Sequence, residues 1–176
     1  QPLNWRLGLE ELTRIIENGE PSILVCSDEY LDMANDLAEV VSRICVFGTN
    51  SDGSYEALVA AGSSSEPPTS SSVGGDDPVL ILYTGGTTGE SKGALHTHTS
   101  LYMGMLNQTV AERIVPTDVY MLTGQMFHIP VGLAMNYMAH GCPVVLINFE
   151  PRTALEVIER ERVSTFLGIT TMLNWI

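Results

Sequence analysis

The eleven residues Tyr83-Thr84-Gly85-Gly86-Thr87-Thr88-Gly89-Glu90-Ser91-Lys92-Gly93 concentrate more usable chemistry than any other stretch of the chain. Four glycines let the backbone approach an anion closely and turn successive N–H groups toward it, forming a concave nest of partial positive charge. Three threonine hydroxyls can donate to phosphate oxygens, and Lys92 adds a full charge on a long stem. Lys92 is the only lysine, the other seven basic residues being arginines. Glycines, hydroxyls and one cation in this order describe a site for a polyphosphate. A plain surface turn would not need three hydroxyl residues and the sole lysine together. The spacing is not that of a Walker A loop, which places lysine directly after the last glycine with Ser or Thr next. Here Glu90 and Ser91 separate Gly89 from Lys92, and the dinucleotide fingerprint G-x-G-x-x-G is absent.

Such a loop needs a rigid base, and the continuous apolar run Val79–Tyr83 predicts a buried strand directly before it. Upstream, Leu9, Leu12, Ile15 and Ile16 recur at helical spacing until Asn18-Gly19. Ser22–Cys26 reads as a buried strand, Tyr30, Met33, Leu37, Val40 and Val41 mark a second helix, and Arg43–Phe47 reads as the next strand. Gly62–Pro78, with six Ser, three Gly and three Pro, has little with which to bury a face and reads as a mobile linker. Downstream, Ser100 is placed to cap a helix carrying Leu101, Met105, Leu106 and Val110 and ending before Pro116. Val119–Leu122 follows as a strand. A helix over 131–140 is closed by Gly141, Pro143–Ile147 reads as a buried strand, and Pro151 opens a helix through Glu161. Thr165–Leu167 is the last strand, and Thr170 starts a helix that reaches Trp175-Ile176. This β-α-β order predicts an α/β fold with a largely parallel sheet flanked by helices. The expected parts are a first β-α-β portion over 1–61, the linker over 62–78, and a portion over 79–176 that carries the loop.

The loop resembles the phosphate-binding signature of the adenylate-forming (AMP-binding) superfamily, which reads roughly Tyr-Thr-Ser-Gly-Thr-Thr-Gly-x-Pro-Lys-Gly. That superfamily includes acyl-CoA synthetases, aryl-CoA ligases, luciferases and peptide-synthetase adenylation domains. The chain departs twice: Gly85 stands where Ser is usual, removing a hydroxyl, and Ser91 stands where Pro is usual, which is expected to loosen the loop before Lys92. Further segments are similar to the family's: Pro2-Leu3-Asn4-Trp5-Arg6 with Glu10-Glu11-Leu12, His96-Thr97-His98, Met126-Phe127-His128, and Gly168-Ile169-Thr170-Thr171-Met172-Leu173, where Thr171 replaces a proline. The resemblance is strongest to fatty-acyl-CoA synthetases.

The resemblance implies that Thr84, Gly85, Gly86, Thr87, Thr88, Gly89 and Lys92 hold the phosphates of ATP. Thr87 or Thr88 is the candidate contact to Mg²⁺. His128, Gly168 and Thr170 are expected to line the acyl and adenylate pocket; the apolar neighbours Phe127, Ile129 and Pro130 suit such a wall, and the plainer role for His128 is a histidine satisfied beside a buried strand. The implied reaction is attack by a carboxylate, here a fatty acid, on the α-phosphorus of ATP. Pyrophosphate leaves, an acyl-adenylate forms, and the thiol of coenzyme A displaces AMP. Positioning and charge neutralisation drive such a step. An aryl-CoA ligase or an amino-acid adenylation domain would share the loop, and a truncated, non-catalytic nucleotide-binding module is the reading from another class. In the family the adenine, ribose and magnesium-glutamate segments and the C-terminal lid lie beyond the part that Gln1–Ile176 matches. The isolated chain is therefore expected to be inactive and, with the apolar Trp175-Ile176 end, to form a homo-oligomer.

Bulk properties exclude several other functions. The net charge of −13 disfavours binding to nucleic acid or to anionic lipid. Hydrophobic residues make up 44% and charged residues 16%, a globular composition. No stretch is long and apolar enough for a membrane span. Cys26, Cys45 and Cys142 lie far apart and read as small buried residues of a reducing, cytoplasmic protein. His96, His98, His128 and His140 lack metal-ligand spacing.

Overall fold

The computed structural model describes residues 1–66, 72–85 and 91–176. It divides into two compact units, Gln1 with Leu3–Leu95, and Pro2 with His96–Ile176.

The first unit opens with helix α1, Leu9–Gly19, whose periodic Leu12, Ile15 and Ile16 are buried. Glu20 closes it in the left-handed region, its N–H returning to the Ile16 carbonyl. Strands β1, Leu24–Ser27, and β2, Ile44–Phe47, pair in parallel with Leu24 opposite Ile44. Between them lie a 3-10 turn, Asp28–Tyr30, and helix α2, Leu31–Asp36. The expected second helix is therefore shorter than its apolar pattern: the chain leaves helical geometry after Asp36, yet Leu37 and Val41 still join Leu12 and Ile16 in the core. Burial, not helix, explains that periodicity. Helix α3, Ser54–Ala60, was not anticipated; Ser54 Oγ accepts from the Val46 N–H at 2.8 Å and Tyr55 packs edge-on to Phe47. Residues 67–71 of the expected linker lie outside the described residues, and 63–66 and 72–77 are exposed.

Strand β3, Pro78–Thr84, pairs with β4, Lys92–Thr97, in a second sheet. Helix α4, His98–Glu112, follows. Its N-cap is Thr97 and not Ser100. Thr97 Oγ1 accepts from the Ser100 N–H at 3.1 Å, and Ser100 Oγ accepts from the Thr97 N–H at 2.9 Å. This reciprocal pair is a capping box with Ser in the third position, so Ser100 serves the cap from inside the helix. Arg113 ends α4 in the left-handed region.

The second unit is built on a three-stranded parallel sheet, with β5, Tyr120–Leu122, between β6, Val144–Leu146, and β7, Thr165–Phe166. Successive residues of β5 face opposite sides. Tyr120 and Leu122 pack with Ala134 and Tyr137 of helix α5, Ile129–Ala139. Met121 packs with Ala154 and Val157 of helix α6, Pro151–Glu161. One helix on each face gives the expected α/β layering, with the strands shared among three small sheets. Strands β1, β3 and β6 are less buried than expected, with Val25, Val79 and Leu146 exposed. Gly141 follows α5 at φ +77, a conformation that suits glycine. Arg162 closes α6 as Arg113 closes α4, and helix α7, Thr170–Trp175, completes the unit.

Candidate functional site

The stems of the glycine loop are regular. Thr84 ends β3 and Lys92 opens β4, so the glycine loop is entered from one strand and left into another. Pairing of β4 with β3 satisfies backbone groups that a bare strand edge would leave open, and this overrides the glycine-rich look of the sequence. Thr84 Oγ1 donates to the Lys92 carbonyl at 3.5 Å, which brings these two predicted residues together across the stems. Gly86, Thr87, Thr88 and Gly89 lie outside the described residues. Gly93 sits against the ring of Tyr83: a Cβ there would come within 3.0 Å of Ile81 Cγ2 and 3.1 Å of Tyr83 Cζ. Gly85, by contrast, has open space around it.

Two hydrogen bonds fasten the stems to α1. The Tyr83 hydroxyl donates to Asn18 Oδ1 at 2.5 Å, and burial pushes that phenol above its ordinary value, so it stays a donor. The Ser91 hydroxyl donates to Glu11 Oε1 at 2.5 Å. Ser91 is thus held by a fastening of its own. Lys92 is exposed and makes no ion pair among the described residues. Its charge is available to an anion.

In the second unit, the other predicted residues follow the carboxyl ends of neighbouring parallel strands, where ligands of α/β sheets bind. His128 follows β5 and caps α5. It is exposed, which rules out the reading as a satisfied core histidine, and its backbone N–H donates to the Gln125 carbonyl at 3.3 Å. Beside it Pro130 is buried, Phe127 is half-buried and Ile129 is exposed. Gly168 follows β7, and a Cβ there would come within 2.7 Å of Leu173 in α7. Thr170 is the exposed first residue of α7. Sequence reasoning missed Thr123 and Gly124. Thr123 is buried and its hydroxyl donates to the Leu167 carbonyl at 2.6 Å, which ties the end of β5 to that of β7. A Cβ on Gly124 would run into the Pro130 ring. The available signal was a Thr-Gly pair between an apolar run and Met126-Phe127-His128.

The remaining candidates are structural. His140 Nδ1 lies 2.9 Å from the Asn136 carbonyl, and Nε2 lies 3.4 Å from Thr109 Oγ1. Among the described residues no group of three or more His, Cys, Asp or Glu could hold a metal ion. Cys45 and Cys142 are buried, whereas Cys26 is only half-buried, and all three are free. Burial pushes the Cys26 and Cys142 thiols up, away from nucleophilic thiolate. Among the described residues no helix is long and apolar enough to cross a membrane.

Known proteins resemble this chain along its whole length. The family described as AMP-binding enzyme matches residues 1–176. A feruloyl-CoA synthase of Amycolatopsis is 30% identical over 178 residues, covering 99% of this chain and 34% of the relative. A long-chain-fatty-acid-CoA ligase of Archaeoglobus fulgidus superimposes with a TM-score of 0.88 at 27% identity, over 98% of this chain and 35% of its own. The ATP-bound MatB of Rhodopseudomonas palustris superimposes with a TM-score of 0.83 at 29% identity, over 98% of this chain and 34% of its own. The chain thus spans about a third of the length of the proteins it matches.

Proposed function

This chain belongs to the AMP-binding enzyme family, and from that premise we propose that it carries the ATP-phosphate loop of an acyl-CoA synthetase, a cytoplasmic acid–thiol ligase. The carrying observation is the pair of fastened stems: Thr84 faces Lys92, and both ends of the loop are tied to α1. Stems held at a fixed spacing supply the preorganisation that phosphoryl chemistry needs. In this reading Thr84, Gly85, Gly86, Thr87, Thr88 and Gly89 wrap the phosphates, and Lys92 neutralises charge on the departing pyrophosphate. Mg²⁺ adds further neutralisation when it is bound with ATP. A threonine hydroxyl, Thr87 or Thr88, is the hard oxygen donor that suits it.

His128, Gly168 and Thr170 line the acyl and adenylate pocket in this proposal, on loops that the Thr123 bond ties together at the ends of neighbouring strands. The substrate is a carboxylic acid, a fatty acid, which is activated to the acyl-adenylate and passed to coenzyme A. The likeness to the Archaeoglobus ligase, described as acting on long-chain fatty acids, supports that choice. The feruloyl-CoA synthase favours an aromatic acid as the second reading. Residues 62–78 act as the linker between the portions 1–61 and 79–176.

Equilibrium binding tests the core of the proposal. ATP with Mg²⁺ binds the chain, adenosine binds far more weakly, and Lys92→Ala weakens ATP by about 2 kcal/mol, the scale of one charged contact to a phosphate. Equal affinity for ATP and adenosine, or an unchanged Lys92→Ala variant, would overturn it. Competition by a fatty acid against a hydroxycinnamic acid in the complete enzyme separates the two substrate readings.

A further inference from the structure

We infer that Glu11 is a positioning residue for the phosphate loop, holding Ser91 and with it the direction in which Lys92 leaves the strand; this rests on the phosphate reading above. Glu11, Ile15 and Asn18 are spaced four and three apart, so they share one face of α1. Glu11 and Asn18 are about 10 Å apart along the helix axis at 1.5 Å per residue. Asn18 receives the Tyr83 hydroxyl at the incoming stem, and Glu11 receives the Ser91 hydroxyl at the outgoing stem. The helix itself is rigidly seated, with Leu12, Ile15 and Ile16 all buried.

An O–H to carboxylate bond at 2.5 Å stands at the short, strong end of its class. Ser91 adjoins Lys92, so fixing Ser91 limits the arc through which the ammonium group can swing. In the resembled family a proline occupies this position and restricts the backbone through its ring. Here a side-chain bond to a helix 80 residues earlier does that work. The two devices are alternatives, because proline offers no hydroxyl to Glu11.

The sole lysine makes the inference testable without turnover. A lysine-specific protease can cut this chain only between Lys92 and Gly93, and each rate is referred to that of the same variant unfolded in urea. Glu11→Ala and Ser91→Ala should each speed cleavage about tenfold, and the double variant should be no faster than either. Glu11→Gln, which keeps an acceptor oxygen, should stay close to wild type. Ser91→Pro should be slow and indifferent to Glu11→Ala. ATP with Mg²⁺ should protect the bond in the wild type and bind about tenfold more weakly to Glu11→Ala. Wild-type cleavage rates in both alanine variants, or additive effects, would overturn the inference. So would parallel acceleration of cutting after Arg160 by an arginine-specific protease, which would mean a general loss of fold. Accelerated cleavage that ATP never suppresses would leave the anchoring in place and remove the phosphate reading.

Discussion

The hydroxyl of Thr123 donates to the carbonyl oxygen of Leu167 across 2.6 Å, joining the last turn of one parallel strand to that of its neighbour. Thr123 is buried whereas Leu167 reaches the surface, so water can replace only part of a lost bond. Thr123→Val keeps the shape and leaves the carbonyl unsatisfied. A loss of about 1–2 kcal/mol in urea unfolding is expected. An unchanged midpoint would show that the two loops are held by other means.

Two glycines near Lys92 should respond oppositely to added atoms. Gly85→Ser enters open space and restores the hydroxyl usual in the resembled family, so stability should change by less than about 0.5 kcal/mol. Gly93→Ala must displace Ile81 or Tyr83, and about 1–3 kcal/mol of destabilisation is expected. Similar melting temperatures for the two variants would contradict this packing.

Asn136 is buried between α4 and α5, where its amide donates to the Met105 carbonyl at 2.9 Å and to Gln108 at 3.0 Å. Asn136→Leu strands those acceptors, and about 2 kcal/mol of stability should be lost. Tyr137 beside it donates to Glu112 at 2.7 Å. Burial, and then that bond, push its phenol well up, so it remains a donor wherever the protein is folded. Tyr137→Phe should cost about 1 kcal/mol, and equal midpoints for wild type and this variant would discount the bond.

Glu150 caps α6 by accepting from the backbone N–H groups of Arg152 and Thr153 and from the Thr153 hydroxyl. The Thr153 backbone bond, then its hydroxyl, then Arg152 hold this carboxyl below its ordinary value. A carboxylate depressed in the folded state stabilises above its unfolded pKa and loses that contribution as pH falls through the folded one. Glu150→Gln should therefore melt lower than wild type at neutral pH, and the gap should close as acid passes below the ordinary glutamate range. A gap that persists in strong acid would mean the cap does not depend on charge.

Trp175 is 62% exposed, with Leu173 exposed on the same short helix and Ile169 exposed at its N-cap. Apolar surface gathered in this way drives association. The 176-residue chain by itself should be a dimer or larger, and Trp175→Ser should shift it toward monomer. Light scattering that gives a mass near 19.1 kDa for the wild type would refute this.

The elements most legible in the sequence were those that carry their own punctuation. Pro151 opens α6 and its pattern runs to Glu161, as observed, because proline fits the first turn and the apolar spacing matches one buried stripe. Arg43–Phe47 and Val79–Tyr83 were visible as apolar runs. Strand β4 was not, because Lys92, Gly93 and Ala94 lack strand preference and acquire it from pairing with β3. Helix α3 was hidden because it buries none of its residues. Thr97 and Ser100 are both good capping residues, and only geometry decides which one stands outside the helix. The placement of Lys92 after a strand-borne loop was readable, whereas the Glu11 contact to Ser91 spans 80 positions and follows no local rule.

Glu20, Arg113 and Arg162 close α1, α4 and α6 with φ of 47, 54 and 56, each in a conformation where a side chain crowds its own backbone. None of these positions belongs to the glycine loop or to the loops after β5 and β7. Replacing each by glycine relieves that crowding, worth about 1 kcal/mol per site, and the sites are far enough apart in sequence to be combined. The protein therefore leaves heat tolerance unclaimed at its helix ends, where it can be raised without altering the loops proposed to meet ligand.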